Sequence, residues 1–120
     1  MNVGETFYLP DFAGGHINFV LEVLADGSVI TCNFTDYTNH SDKTFVIEAG
    51  VHSVITKKSV VNFRRAEHCE CGVPLDALLR LIGGKYREPL GPEILGKIRQ
   101  AALDSPFTSD KIRDALKVQK

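Results

Sequence analysis

The sequence contains no hydrophobic run long enough to cross a bilayer. Its strongest apolar stretch, residues 19–24, falls far short of the roughly 20 residues a spanning helix needs, so no membrane association is expected. The opening Met-Asn-Val-Gly-Glu lacks the basic-then-apolar order of an export signal. Cysteine is scarce and odd in number, with only Cys32, Cys69 and Cys71. Without an export signal that count argues against a disulfide framework, and the expected location is the cytoplasm. An excess of one charge sign is also missing: the net charge is −1, which gives no global attraction to nucleic acid. Internal repeats, heptads and low-complexity segments are absent.

What is present is an ordinary globular composition. Of the 120 residues, 43% are hydrophobic and 24% charged, enough for one core and too few for two independent ones. Charge is unevenly spread. Residues 1–63 carry three bases (Lys43, Lys57, Lys58) against seven acids, a net −4, and residues 64–120 carry eleven against eight, a net +3. An anionic ligand would therefore meet the second half more readily, unless those charges are simply solvated helix faces.

Apolar residues in the first half recur with period two. Residues 5–9 form a short strand stopped by Pro10, which cannot donate to a ladder. The loop Asp11-Phe12-Ala13-Gly14-Gly15 leads into a strand at 16–24. Asp26-Gly27 then signals a hairpin returning through residues 29–35. The polar stretch 36–42 is a loop. Further short strands are expected at 44–48, 52–55 and 60–63, a spacing that suits a small antiparallel barrel or sandwich.

After Arg65 the apolar spacing changes to about 3.6. Pro74 and Pro92 can each open a helix, predicting helices at 74–82 and 92–103. Ser105-Pro106 ends the second, and Thr108 or Ser109 could cap a third that carries Asp110 in its first turn. The predicted fold class is thus a β-dominated α+β protein. Residues 1–70 form the barrel, and residues 71–120 form a helical C-terminal extension that packs on the barrel or dimerises with it.

Few residue types here can carry chemistry. His16 stands at the mouth of a strand just past Gly14-Gly15 and could act as acid or base, or simply be a hydrogen-bonded structural histidine. Thr35 ends the return strand. A hairpin centred on Asp26-Gly27 pairs residues whose numbers sum to about 53, which sets Thr35 near Asn18 and close to His16. It could equally be a strand-forming threonine. Lys57, Lys58, Arg64 and Arg65 bracket one strand and make the best anion-binding group, though alternation turns only some to any one face. His52, His68, Cys69 and Cys71 invite a zinc site, but Cys-x-Cys is shorter than a zinc knuckle and no second pair follows. No metal and no other cofactor is expected.

The order of these pieces resembles the MazF/PemK family of toxin ribonucleases. Over residues 4–66 the similarity is carried by Gly4-Glu5-Thr6-Phe7-Tyr8, a glycine-containing loop, an apolar strand, a strand ending in Thr35, and Ser59-Val60-Val61-Asn62-Phe63-Arg64-Arg65. The chain is also similar to short uncharacterised bacterial proteins with His-x-x-Φ-Val-Leu, Asn-Φ-Thr and Gly-x-His elements, matched here by residues 16–21, 33–35 and 50–52. The resemblance implies an SH3-like barrel, usually dimeric, that cleaves single-stranded RNA without metal through attack by the 2′-hydroxyl. Thr35 matches the family's strand-end residue. The family's loop arginine has no counterpart, and Ala13-Gly14-Gly15-His16 offers a histidine instead. The Asp-Gln that often follows the Ser-Val-Val segment is missing too. On these terms the expected site is His16 and Thr35 with Arg65, and Arg64, Lys57 and Lys58 hold RNA. The expected partners are RNA, an antitoxin protein and a second copy of the chain. The competing expectation is a non-catalytic protein-interaction module of a bacterial or mobile-element system.

Overall fold

The computed structural model describes residues 2–9, 16–69 and 85–118. The expected helix at 74–82, the Gly14-Gly15 loop and Cys71 all lie outside them.

The hairpin is the organising unit. Strands β2 (His16–Val23) and β3 (Val29–Asp36) pair antiparallel. They are joined by a three-residue loop whose last residue, Gly27, sits at φ +86°. The Gly27 amide donates to Leu24 O (2.9 Å) and the Leu24 amide to Ser28 O (2.8 Å), a turn that needs a residue tolerant of left-handed backbone. Asp26 secures it by accepting from both the amide (2.9 Å) and the hydroxyl (2.5 Å) of Ser28. Those two bonds hold the Asp26 carboxyl below its ordinary range. With its one proton committed to Asp26, the buried Ser28 hydroxyl accepts from His68 Nε2 at 2.8 Å.

Five shorter strands complete an antiparallel sheet: β1 (Thr6–Leu9), β4 (Val46–Ile47), β5 (Ser59–Val61), β6 (Glu67–Cys69) and β7 (Lys85–Arg87). The order is β4-β5-β3-β2-β1-β7, and β6 also pairs with β3. Along one edge β3 pairs Val29–Thr31 with β6 and Phe34–Asp36 with β5. Between those two strands lies a short 3-10 helix, Phe63–Arg65.

Three of the expected strands are shorter than expected or are turns. Only Val46–Ile47 is extended within 44–48; just before it the Asp42 carboxylate accepts from both the amide (3.0 Å) and hydroxyl (2.5 Å) of Thr44, which holds that chain in a bend. Residues 52–55 are a turn, because Gly50 at φ +84° reverses the chain, its amide donates to Ile55 O (2.9 Å), and the Ile55 amide donates to His52 O (3.0 Å). The 60–63 strand stops at Val61, where the chain tightens into the 3-10 helix.

Among the described residues no ladder joins the outer strands β4 and β7. Side chains link the two ends instead. His52, in the turn after β4, lies 2.9 Å from Pro89 O, and Ser53 Oγ donates to Glu88 Oε1 at 2.6 Å.

Two helices follow: α1 (Pro92–Asp104), with Pro92 in its first turn, and α2 (Asp110–Val118), where the Ser109 hydroxyl accepts from the Ile112 amide (3.3 Å). Their apolar faces, Ile98, Ala101, Ala102, Ile112 and Leu116, share one core with Phe19, Leu21, Ile30, Cys32 and Phe34 of the hairpin. A second, smaller cluster of Phe7, Val20 and Val29 lies apart from it. Consecutive burial of Phe19, Val20 and Leu21 arises because strand residues alternate between faces and both faces are covered. Gly4 locks β2 to the segment before α1. Its amide donates to Val20 O and its carbonyl accepts from Leu90 N, both at 2.8 Å.

Candidate functional site: a cleft at the strand ends

A cleft of about 750 Å³ opens where β2 begins, β3 ends and β5 begins. Tyr8, His16, Ile17, Phe34, Thr35 and Asp36 form its floor, the 53–57 segment one wall, and Arg87 with Glu88 another. Three of the residues singled out in the sequence, His16, Thr35 and Lys57, meet here. Lys58, Arg64 and Arg65 do not line it.

Two local features bring His16 and Thr35 together. The three-residue loop moves the hairpin centre back to Asp26, and a bulge at Leu21 shifts the register once more. The pairs are therefore Val23↔Val29 and Glu22↔Ile30 near the turn but Phe19↔Cys32 and Asn18↔Asn33 farther out. Asn18 thus faces Asn33, two residues short of the expected Thr35. The ladder ends there, and His16 and Thr35 each stand two residues beyond it. The backbone of each is held from the other side. His16 pairs with Leu9 of β1 and its carbonyl accepts from Asn18 Nδ2 (3.1 Å), while Thr35 pairs with Val60 of β5. Both side chains are half-buried.

The cleft's cations differ from Lys58 and Arg64 in their surroundings. Among the described residues neither Lys57 nor Arg87 forms an ion pair. Arg87 Cζ lies 5.9 Å from the centre of the Tyr8 ring. Two carboxylates share the site: Asp36, and Glu88, which accepts from Ser53. Two of the other candidate cations are engaged. Lys58 Nζ sits 4.2 Å over the Tyr37 ring and 3.8 Å from Glu48, and Arg64 lies 4.5 Å over Phe107. Arg65 is exposed on the 3-10 helix.

His52, singled out in the Gly-x-His element, is a strut for the wall. Its Nδ1 accepts from the Val54 amide (3.2 Å), so Nε2 carries the proton that Pro89 O receives. Cys32 and Cys69 are poor nucleophiles. Burial pushes the Cys32 thiol up to about 12. Cys69 is raised as well, chiefly by burial, with the Thr31 hydroxyl opposing and Glu67 adding to it. A nucleophilic thiolate at neutral pH needs the opposite shift. Among the described residues no three His, Cys, Asp or Glu side chains gather as a metal site.

Sequence reasoning missed Tyr8, Ser53, Arg87 and Glu88. A signal for the last two existed in the Lys85-Tyr86-Arg87-Glu88 run, where charge and an aromatic ring alternate. Its partner strand is some eighty residues away, so nothing local announces it. The assembled cleft offers a group for proton transfer, a hydroxyl donor, two cations without an ion pair among the described residues and an aromatic ring. No protein-family model, curated protein or solved structure matches the chain.

Proposed function

We propose that the cleft is the active site of a toxin-type endoribonuclease acting on single-stranded RNA, built on a small SH3-like barrel and needing no metal. The observation that carries this is the meeting of His16, Thr35 and Lys57 at one opening. Neutral His16 takes the proton of a ribose 2′-hydroxyl, and the 2′-oxygen attacks the adjoining phosphorus. The 5′-oxygen leaves with a proton from water, and a 2′,3′-cyclic phosphate remains. Lys57 neutralises the charge that builds on the phosphorane, and the Thr35 hydroxyl donates to a non-bridging oxygen. Arg65 and Arg64 lie outside the cleft and are not needed for this step. An antitoxin protein that covers the cleft would silence the enzyme, and a dimer would leave the helices on the sheet and associate elsewhere.

The test is cleavage of unstructured RNA in chelator, wild type against His16→Ala, with melting measured in parallel. The expected loss is about 10²–10⁴-fold, the usual contribution of a positioned base. Equal cleavage per folded molecule by the two proteins would remove His16 from the mechanism.

A non-catalytic interaction module has one observation in its favour. Val51 and Tyr86 are 60% and 46% exposed, and each lies close in the chain to a residue of the His52–Pro89 and Ser53–Glu88 links. Absence of cleavage across varied sequences, with growth unaffected by expression and a tight complex with a co-encoded protein, would support that reading.

A further inference from the structure

We infer that Tyr8 and Arg87 form a nucleotide-holding subsite in the cleft, in which one unpaired RNA base stacks on the Tyr8 ring while Arg87 binds the adjoining phosphate. The inference rests on the single-stranded RNA reading of the cleft and specifies how its ligand is gripped.

The two residues come from opposite ends of the chain and are placed by one ladder. β1 pairs with β7 through Thr6↔Arg87, Phe7↔Tyr86 and Tyr8↔Lys85. Alternation along the strands turns Thr6 and Tyr8 to one side and Phe7 to the other. Phe7 is buried at 3% exposure and meets Tyr86 edge-on, with ring centres 6.5 Å apart, whereas Tyr8 is half-buried on the cleft. A half-buried ring in a cleft is a platform for a base, since every base has a flat π-face and stacking tolerates any sequence.

Arg87 is exposed and forms no ion pair among the described residues. Its guanidinium lies 5.9 Å from the Tyr8 centroid, compared with 4.2 Å for Lys58 over Tyr37 and 4.5 Å for Arg64 over Phe107. It is near the ring without being seated on it. A guanidinium in that position can present its fork to a phosphate beside a stacked base. Glu88 would repel a phosphate there, but its carboxylate is turned to Ser53 Oγ (2.6 Å) and stands 3.9 Å from His52 Nε2. Asp36, the other carboxylate of the cleft, belongs to β3 and lies opposite Ser59 on β5. The strand end that carries Arg87 is held independently, because Thr6 Oγ1 donates to Glu88 O (2.8 Å).

The test uses a fluorescein-labelled, unstructured oligoribonucleotide with every 2′-hydroxyl methylated, so that binding is measured without cleavage. Tyr8→Leu should weaken binding roughly 5- to 100-fold without altering its salt dependence, and Tyr8→Phe should bind as wild type, as expected for loss and retention of one stacked base. Arg87→Ala should reduce the slope of log affinity against log salt by about 0.7, the value for one phosphate contact on a single strand. Arg87→Lys should restore the slope but not the full affinity. Arg87 is exposed, so its variants test the subsite even if Tyr8→Leu melts below the assay temperature. Unchanged affinity in Tyr8→Leu, an unchanged salt slope in Arg87→Ala, or no binding of the probe by the wild type would each overturn the inference. The ribonuclease reading fails separately: variants that behave as described, with no cleavage of the unmethylated oligonucleotide, would leave a binding subsite without a catalyst.

Discussion

On the helix-covered side of the sheet, arginines are built into the architecture. Arg99 bonds Glu22 of β2 and donates to Leu116 O at the end of α2. Arg113 donates to Leu103 O and Ser105 O, carbonyls at the end of α1, and pairs with Asp110. Arg64 stacks on Phe107 between the helices. At the cleft, Lys57 and Arg87 have no ion-pair partner among the described residues. Both sides carry cations, so composition does not distinguish them. Commitment separates these three arginines from the cleft pair: a cation already bonded to carbonyls and carboxylates or stacked on a ring stabilises the fold, whereas an uncommitted one beside a histidine and a hydroxyl is available to an anion.

The largest expected separation is between His16→Ala and a truncation under the helices. His16→Ala should lower RNA cleavage by about 10²–10⁴-fold with little change in melting. Leu116→Ala removes a side chain with 0% exposure and should cost about 2–5 kcal/mol of stability, leaving cleavage per folded molecule unchanged. Chemical denaturation with activity assays on the same samples checks both. A Leu116 variant that folds fully yet cleaves poorly would break the division between the two sides.

Next in size is Gly4→Ala. Gly4 sits at φ +87°, and a methyl there would lie 2.8 Å from Leu90 O and 2.9 Å from Leu95 Cδ1. Backbone strain and the clash together should cost roughly 2–4 kcal/mol, read as a lower denaturation midpoint. This join between β2 and the segment before α1 should matter for stability and not for catalysis.

Acid provides a finer test of the helix side. Burial disfavours the Asp42 charge, but hydrogen bonds from Ser105 and Thr44 and the nearby Arg64 outweigh it, leaving the carboxyl below its ordinary value. The folded state therefore holds the proton less tightly than the unfolded chain. The stability this gives is present in full above ~3.9, the unfolded value, and is lost as the pH falls through the lower folded value. Melting of wild type and Asp42→Asn should accordingly differ near neutrality and converge in strong acid. A constant difference at all pH values would remove Asp42 as the source. The smallest effect belongs to Lys58→Ala, whose exposed contacts with Glu48 and Tyr37 should contribute about 0–1 kcal/mol.

Some of this was written locally in the chain. Asp26-Gly27 set the hairpin because only a glycine-like residue closes that turn cheaply. Pro92 and Ser105-Pro106 bound α1, whose apolar spacing matches the helical period, and Ser109, one of two residues able to cap α2, accepts from the Ile112 amide. Loop geometry and the bulge at Leu21 lay beyond that reading. Each moves the register by one residue without a sequence signature of its own, and together they decide which residue faces Asn18.

The sequence by itself determined the hairpin, the helices after residue 91 and the residue types able to do chemistry, because turns, caps and periodicity act within a few residues. Tertiary structure alone decided which of those residues meet. β6 and β7 are three residues each, too short to declare themselves, and exist through their pairing with β3 and β1. That pairing brings Arg87 beside Tyr8 and the cleft, while Arg64 stacks on Phe107 between the helices and does not line the cleft. Such choices rest on contacts between residues dozens of positions apart, whose strength depends on the whole packed core.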